Sequence, residues 1–213
     1  MKKIHAPPSS AAELRSLIAP RSAAIRSRLR DFSQVPPGEY FYELVYCLLT
    51  PQSSAVNAGK VVRLLREQNF LHRDIDPEPI LKRKECYIRF HKTKARSLAM
   101  IKARFPEVAR QLENGSSSAE LREWLVKNVR GIGWKEASHF LRNIGYRDLA
   151  ILDRHILKNL VRFRVMRGLP KTLTPKRYLF IENRFQRFAR QIGIPMDELD
   201  LLFWSIETGE ILK

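Results

Sequence analysis

The sequence predicts an all-α protein. Three observations carry this: apolar residues recur at three- and four-residue spacing along most of the chain, persuasive strand alternation is absent, and helix-starting residues stand ahead of the periodic runs. The 213 residues are 44% hydrophobic and 29% charged. That is enough apolar material for one domain or two small interlocked ones, and too balanced for disorder.

The elements follow in order. Ser9 and Ser10 can cap a first helix carrying Leu14, Leu17 and Ile18, which Pro20 interrupts before Ile25 and Leu29 resume the stripe. Pro36-Pro37-Gly38 is the first strong break. Phe41, Leu44, Val45, Leu48 and Leu49 mark the next helix, closed by Thr50-Pro51. Another starts at Ser53 with Val56, Leu64 and Leu65, and a loop near Pro77 and Pro79 follows it. Thr93 can cap a helix bearing Ala95, Leu98 and Ala99 that ends near Phe105-Pro106. Ser116–Ser118 form a polar link before Leu121, Trp124 and Leu125. Thr174-Pro175 sets a cap and a first-turn proline ahead of Tyr178, Ile181, Phe185, Phe188 and Ile192, with Gly193 as the stop. Leu199, Leu202, Phe203 and Ile206 make the last helix. About ten helices result, joined by short loops.

Charge points to a partner. Lys and Arg total 39 against 22 acidic residues, a net +17. This suits nucleic acid, and less specifically an anionic membrane surface. The apolar run Leu44–Leu49 is far short of the ~20 residues that a transmembrane helix needs. Met1-Lys2-Lys3-Ile4-His5-Ala6-Pro7-Pro8 has no apolar region behind it and is no secretory signal. Two cysteines, Cys47 and Cys86, cannot supply a four-thiolate cluster. An intracellular, metal-free, basic protein is expected.

The chemistry concentrates in residues 129–145. A helix ending near Val129 meets Gly131-Ile132-Gly133, and a new helix begins at once. Glycine at both turn positions permits positive φ and close backbone approach. Amides at the new helix start can hold a phosphate, and Ile132 can plug the junction. This is helix-hairpin-helix grammar for gripping a nucleic-acid backbone without reading bases, although a lone G-x-G also fits an ordinary αα-hairpin. Lys135 lies in the first turn, where the helix dipole disfavours a cation and favours the free amine, a candidate nucleophile. Solvation or a phosphate contact is the plainer role for it. Asp153, 18 residues on, can cap the helix carrying Ile156, Leu157, Leu160 and Val161. The helix from Trp134 to Ile144 climbs roughly 15 Å at ~1.5 Å per residue, and eight residues can return up to about 26 Å. Lysine and carboxylate can therefore line one cleft. Such a pair suits N-glycosidic cleavage: the amine attacks C1′, the carboxylate stabilises charge on the sugar, and the Schiff base permits β-elimination.

Gly131-Ile132-Gly133-Trp134-Lys135 followed by Asp153 resembles the helix-hairpin-helix-Gly/Pro…Asp pattern of the endonuclease III superfamily of DNA glycosylases. More narrowly, residues 131–145 with Leu149–Leu157, Leu49–Ala55 and His91–Ala95 are similar to the type 2 8-oxoguanine DNA glycosylase/AP lyase family. The resemblance implies a two-lobed helical fold without an iron–sulfur cluster. Residues 1–36 with 148–213 would form one lobe, and 37–147 a central bundle ending in the hairpin 129–145. It implies Lys135 as Schiff-base nucleophile and Asp153 as essential carboxylate. Gly131, Ile132 and Gly133 would grip the DNA backbone, with a monovalent cation on their carbonyls when DNA is bound and no other cofactor. Gln52 would fill the gap left by the flipped base, and Ser53 and Arg154 would contact DNA beside it. Lys213, Trp204 and Trp134 would recognise the base; Phe90 and Phe203 are further candidates for the pocket wall. Lys92, Lys94, Arg130, Arg154 and Lys158 cluster around the expected cleft in sequence terms. The expected partner is double-stranded DNA bearing 8-oxoguanine, met by a monomer in a prokaryotic cytoplasm at the nucleoid. Rival readings are a glycosylase for another lesion, a non-enzymatic DNA-binding module, and a membrane or RNA binder using charge alone.

Overall fold

Residues 11–211 are described by the computed structural model, and among them the regular structure is entirely helical. The α-helices are α1 (Ala11–Ile18), α2 (Ser22–Ser33), α3 (Tyr40–Leu49), α4 (Ala55–Glu67), α5 (Glu78–Leu81), α6 (His91–Glu113), α7 (Ser118–Asn128), α8 (Trp134–Asn143), α9 (Arg154–Arg162), α10 (Pro175–Ile192) and α11 (Met196–Thr208). Ser9, Ser10 and Lys213 lie outside the described residues. No described helix is long and apolar enough to cross a membrane.

The chain forms two compact units. One gathers the described residues up to Gln34 with those from Gly145 onward, and the other is Val35–Ile144. In the second, α3 is the central helix because it is buried on all sides: Phe41 to Leu49 are buried without a break, Glu43 being the one charged residue among them. It packs against α4, α6 and α8, while α7 packs against α8. Phe41 meets Phe105 edge-on, ring centroids 5.1 Å apart, and Phe70 at 6.0 Å.

Two boundaries differ from the sequence expectation. Helix α6 begins at His91, behind a left-handed Phe90, and runs through Pro106 to Glu113 instead of starting at a Thr93 cap and stopping near Pro106. Proline removes one helical hydrogen bond, at about 3 kcal/mol. Val108 and Leu112 continue the buried stripe of Ala95, Leu98, Ile101 and Phe105 beyond it. Burying each such side chain contributes about 1.5–3 kcal/mol, so packing outweighs the break. Helix α4 begins at Ala55, with Ser54 and not Ser53 accepting the Asn57 amide (3.4 Å). Val56 is 57% exposed and sits outside the core stripe of Ala58, Val61, Val62 and Leu65.

In the other unit α11 packs against α2, α9 and α10. The Arg15 guanidinium donates twice to the Ile192 carbonyl (2.8 and 3.2 Å), joining α1 to the end of α10. Helix α10 has the expected ends: Thr174 accepts the Arg177 amide (3.3 Å), Pro175 is its first residue, and Gly193 follows at φ 71°. Phe203 is fully buried, stacked on Phe163 (5.2 Å) and Phe185 (5.8 Å). It is core, not the pocket wall for which it was a candidate, because three aromatic faces satisfy one another there.

Candidate active site

The hairpin is built by one tight turn between α7 and α8. The Val129 carbonyl accepts the Ile132 amide at 3.2 Å, and Gly131 takes φ 91°. Its φ favours glycine, and a Cβ there would also stand 3.3 Å from Ser97 Oγ, a tight approach to a side-chain end. Gly133 differs from expectation: at φ −95° and ψ −178° it is ordinary extended backbone. What constrains it is Glu136, whose Oε2 would lie 2.9 Å from an added Cβ. That oxygen accepts the Gly133 amide at 3.3 Å, so, unlike the amides expected at a helix start, this N–H already has an acceptor within the protein. Ala137 makes the first internal bond, to the Gly133 carbonyl (2.9 Å). The three amides ahead of it have no acceptor within the helix. Ile132 is buried at the junction.

Lys135 is the second residue of α8, its side chain 29% exposed and its Nζ 3.6 Å from Glu136 Oε1. Glu136 thus serves two neighbours at once, the Gly133 amide and the lysine cation. No sequence expectation fell on Glu136, although Gly133-x-x-Glu136 has the spacing of a capping box. Trp134 is half-buried beneath the guanidinium of Arg122, 4.8 Å from the ring centroid. Arg122 is itself buried and donates to Ser138 Oγ at 3.2 Å.

A second turn lies in the same unit. The Thr50 carbonyl accepts the Ser53 amide (3.0 Å), closing a β-turn with Pro51 and Gln52 at its centre. Gln52 is exposed and left-handed, φ 57°, a place that glycine usually takes. A side chain there costs about 1–2 kcal/mol. Lys94, from α6, donates to the carbonyls of Leu49 and Pro51 at 2.7 Å each and to Ser53 Oγ at 3.2 Å. Burial, with the nearby charges of Lys135 and Arg89, pulls its ammonium down to about 8 against the opposing pull of Glu136. Lys94, one of the cations that sequence position grouped around the expected cleft, therefore spends its ammonium on acceptors within the protein. Ser53 Oγ also accepts the Arg89 amide (3.0 Å), so the oxygen accepts two bonds within the protein. One residue further, Phe90 is 54% exposed and left-handed, φ 60°, with the Arg89 guanidinium 5.4 Å from its ring centroid. Lys92 and Arg130 are exposed.

Asp153 is positioned in the other unit by a segment with few helical bonds of its own. Leu149 to Leu152 are buried. Their backbone groups find partners on α10: Glu182 accepts the Ala150 amide (2.8 Å), and the Tyr178 hydroxyl lies between the Ala150 carbonyl (2.5 Å) and the Leu152 amide (3.3 Å). A three-residue turn, Asp153 amide to Ile151 carbonyl at 2.7 Å, then delivers the carboxylate. Oδ1 accepts the amides of His155 and Ile156, both at 2.8 Å, leaving Oδ2 outside the cap. Arg154 is exposed, and its Nε donates to His155 Nε2 (3.3 Å). His155 Nδ1 lies 3.7 Å from Glu207, and its ring meets half-buried Trp204 edge-on at 6.3 Å. Burial pushes the Glu207 carboxyl up, but Lys158 (2.9 Å), His155 and Asn159 together hold it below its ordinary value. Trp204 thereby shares a side-chain cluster with the start of α9.

Residues 25–194 match the family model described as 8-oxoguanine DNA glycosylase. The 8-oxoguanine DNA glycosylase/AP lyase of Fusobacterium nucleatum is 38% identical over 211 residues, covering 94% of this chain and 96% of the relative. A Korarchaeum cryptofilum protein of the same name is 38% identical over 190 residues, covering 89% and 90%. Among solved structures, the Methanocaldococcus jannaschii 8-oxoguanine glycosylase/lyase in complex with a 15mer DNA containing 8-oxoguanine superposes with a TM-score of 0.84 at 33% identity, covering 95% of this chain and 97% of that one. A turn-borne lysine at the start of a hairpin helix, an aspartate capping α9 and these likenesses lead to one assignment: the chain belongs to the 8-oxoguanine DNA glycosylase family.

Proposed function

We propose that the protein excises 8-oxoguanine from double-stranded DNA and then cleaves the strand at the abasic site. The observation that carries the reading is Lys135, in the first turn of a helix behind a left-handed glycine, in a chain whose relatives are named for both activities. The uncharged Nζ attacks C1′, forming a C–N bond as the glycosidic bond breaks; the amine's proton leaves with the base. Asp153 stabilises positive charge on the sugar ring during that step. Cleavage of C1′–O4′, with O4′ taking a proton, then opens the sugar to the protonated imine. The imine acidifies C2′–H; loss of that proton breaks the C3′–O bond, and water then releases the enzyme. Gly131, Ile132 and Gly133 hold the backbone. A monovalent cation there, when DNA is bound, would take carbonyls of the same turn. Gln52 and Arg154 contact the DNA around the extruded base, while Trp134, Trp204 and Lys213 recognise it. The protein acts as a monomer.

Borohydride trapping tests this on a duplex with one 8-oxoguanine opposite cytosine, beside an undamaged duplex. Wild type should form a covalent adduct with damaged DNA alone, and Lys135→Gln with neither. Salt-sensitive binding to both duplexes without any adduct would leave only a DNA-binding module. An adduct on a different lesion would move the substrate, not the nucleophile.

A further inference from the structure

We infer that Lys94 is a positioning residue for base extrusion, its ammonium stapling the Thr50–Ser53 turn so that Gln52 is held ready to enter the duplex. The inference rests on the proposed reading of Gln52 as the residue that fills the vacated gap. An ammonium has three donors, and here three acceptors lie on alternate residues of one short segment: the carbonyls of Leu49 and Pro51 and the hydroxyl of Ser53. Between them, Gln52 is the exposed member of the turn.

Leu49 is the last residue of α3, so the cation also meets the negative end of that helix. Neutral oxygens do not neutralise it, and Lys135 and Arg89 repel it. A fold that keeps a half-buried cation beside two others, rather than an apolar side chain, is using its directed bonds. Those bonds hold a turn that a glutamine occupies only at a conformational cost. The staple extends further, because Ser53 Oγ takes both Lys94 and the Arg89 amide. One lysine thus ties the left-handed Gln52 to the segment leading into the left-handed Phe90.

The role separates two reactions. Excision needs the base extruded and the gap filled, whereas cleavage of a preformed abasic site does not. Single-turnover rates for both are measured with the full chain. Lys94→Met should slow 8-oxoguanine release by at least about 10-fold, since a misplacement of ~1 Å can cost on the order of 100-fold. Its cleavage of preformed abasic sites, and borohydride adducts with them, should stay within about 3-fold of wild type. Lys94→Arg should return part of the excision rate. Ser53→Ala, which removes one acceptor of three, should fall between and keeps the test available if Lys94→Met does not fold. Adding Gln52→Ala to either variant should cost little more, because both act through one side chain. Equal losses in both reactions would overturn the inference and place Lys94 in the service of Lys135. Multiplicative losses with Gln52→Ala would overturn it as well. Wild type that neither excises nor forms adducts would fail at the reading beneath it, a result separable from the first two.

Discussion

Helices α8 and α9 both begin at residues proposed for catalysis, yet their first turns are built on opposite principles. At α9 the chain puts an anion where a helix wants one: Asp153 caps two amides with one oxygen at 2.8 Å. At α8 it puts a cation there, behind a left-handed glycine and beside a glutamate. A carboxylate at a helix start contributes stability whether or not it is catalytic, whereas a lysine at the same place opposes the dipole. Local agreement hides a function, and local conflict exposes one.

The largest expected effect comes from removing the cation. Lys135→Gln should abolish adduct formation and lower excision by at least ~10³-fold, as loss of a nucleophile does elsewhere. Its stability should hold or rise by about 0.3–1 kcal/mol, because the charge opposing the dipole is gone. Chemical denaturation alongside the kinetics checks both. A variant both inactive and clearly less stable would mean that Lys135 holds the hairpin together.

Asp153 calls for a pair of variants, because its two roles coincide. Asp153→Asn keeps an oxygen for capping and removes the charge; excision should fall about 10²-fold with stability nearly unchanged. Asp153→Ala should lose a similar rate and, in addition, about 1 kcal/mol of stability. If Asn restores activity as well as the cap, the carboxylate is structural and the comparison between the two helices collapses.

How much of this the sequence shows depends on the same contrast. Thr174, Pro175 and Gly193 state both ends of α10 because capping is a local matter, and the structure follows them. Pro106 reads as a stop for the same local reason, but α6 passes through it, since Phe105, Val108 and Leu112 find burial in partners distant along the chain. The site divides likewise. Lys135 and the hairpin glycines stand out in sequence because their types and spacing are odd for an ordinary turn. Glu136 is marked only by its capping-box spacing, and Lys94 only by its place near the expected cleft, not by what it binds. One lysine among 39 basic residues carries no mark of burial, and its acceptors are backbone carbonyls, which a sequence cannot display.

The hairpin glycines test the conflict at α8 more finely. Gly131→Ala forces a Cβ into a left-handed residue near Ser97 and should cost about 1–2 kcal/mol. Gly133→Ala meets no backbone barrier, only the end of the Glu136 side chain. It should cost less than about 1 kcal/mol while releasing Glu136 from the Gly133 amide. Equal losses from the two would show that the turn is limited by space and not by conformation.

The smallest effect, and the most direct report on the interior of this unit, is a slope with pH. Lys94 is held down to about 8 from an ordinary 10.5, by burial first and then by Lys135 and Arg89, against Glu136. Below pH 8 both folded and unfolded chains carry the proton, and the full cost of burying the charge is present. Between about 8 and 10.5 the unfolded chain still holds a proton that the folded chain has released, so this group's contribution to stability rises with pH. The Tyr46 hydroxyl, pushed up chiefly by burial, works the other way, but only once unfolded tyrosine begins to ionise near pH 10. Comparing wild type with Lys94→Met from pH 7.5 to 10 isolates the lysine, with a difference below about 1 kcal/mol per pH unit after allowance for solvent screening. The neutral amine keeps two donors for three acceptors, so the same interval that stabilises the fold should loosen the Gln52 turn. Stability rising while excision falls relative to abasic-site cleavage, both lost in Lys94→Met, is the signature of a charge kept for position rather than for stability. A flat stability difference would mean that the ammonium is solvated and the staple is not made.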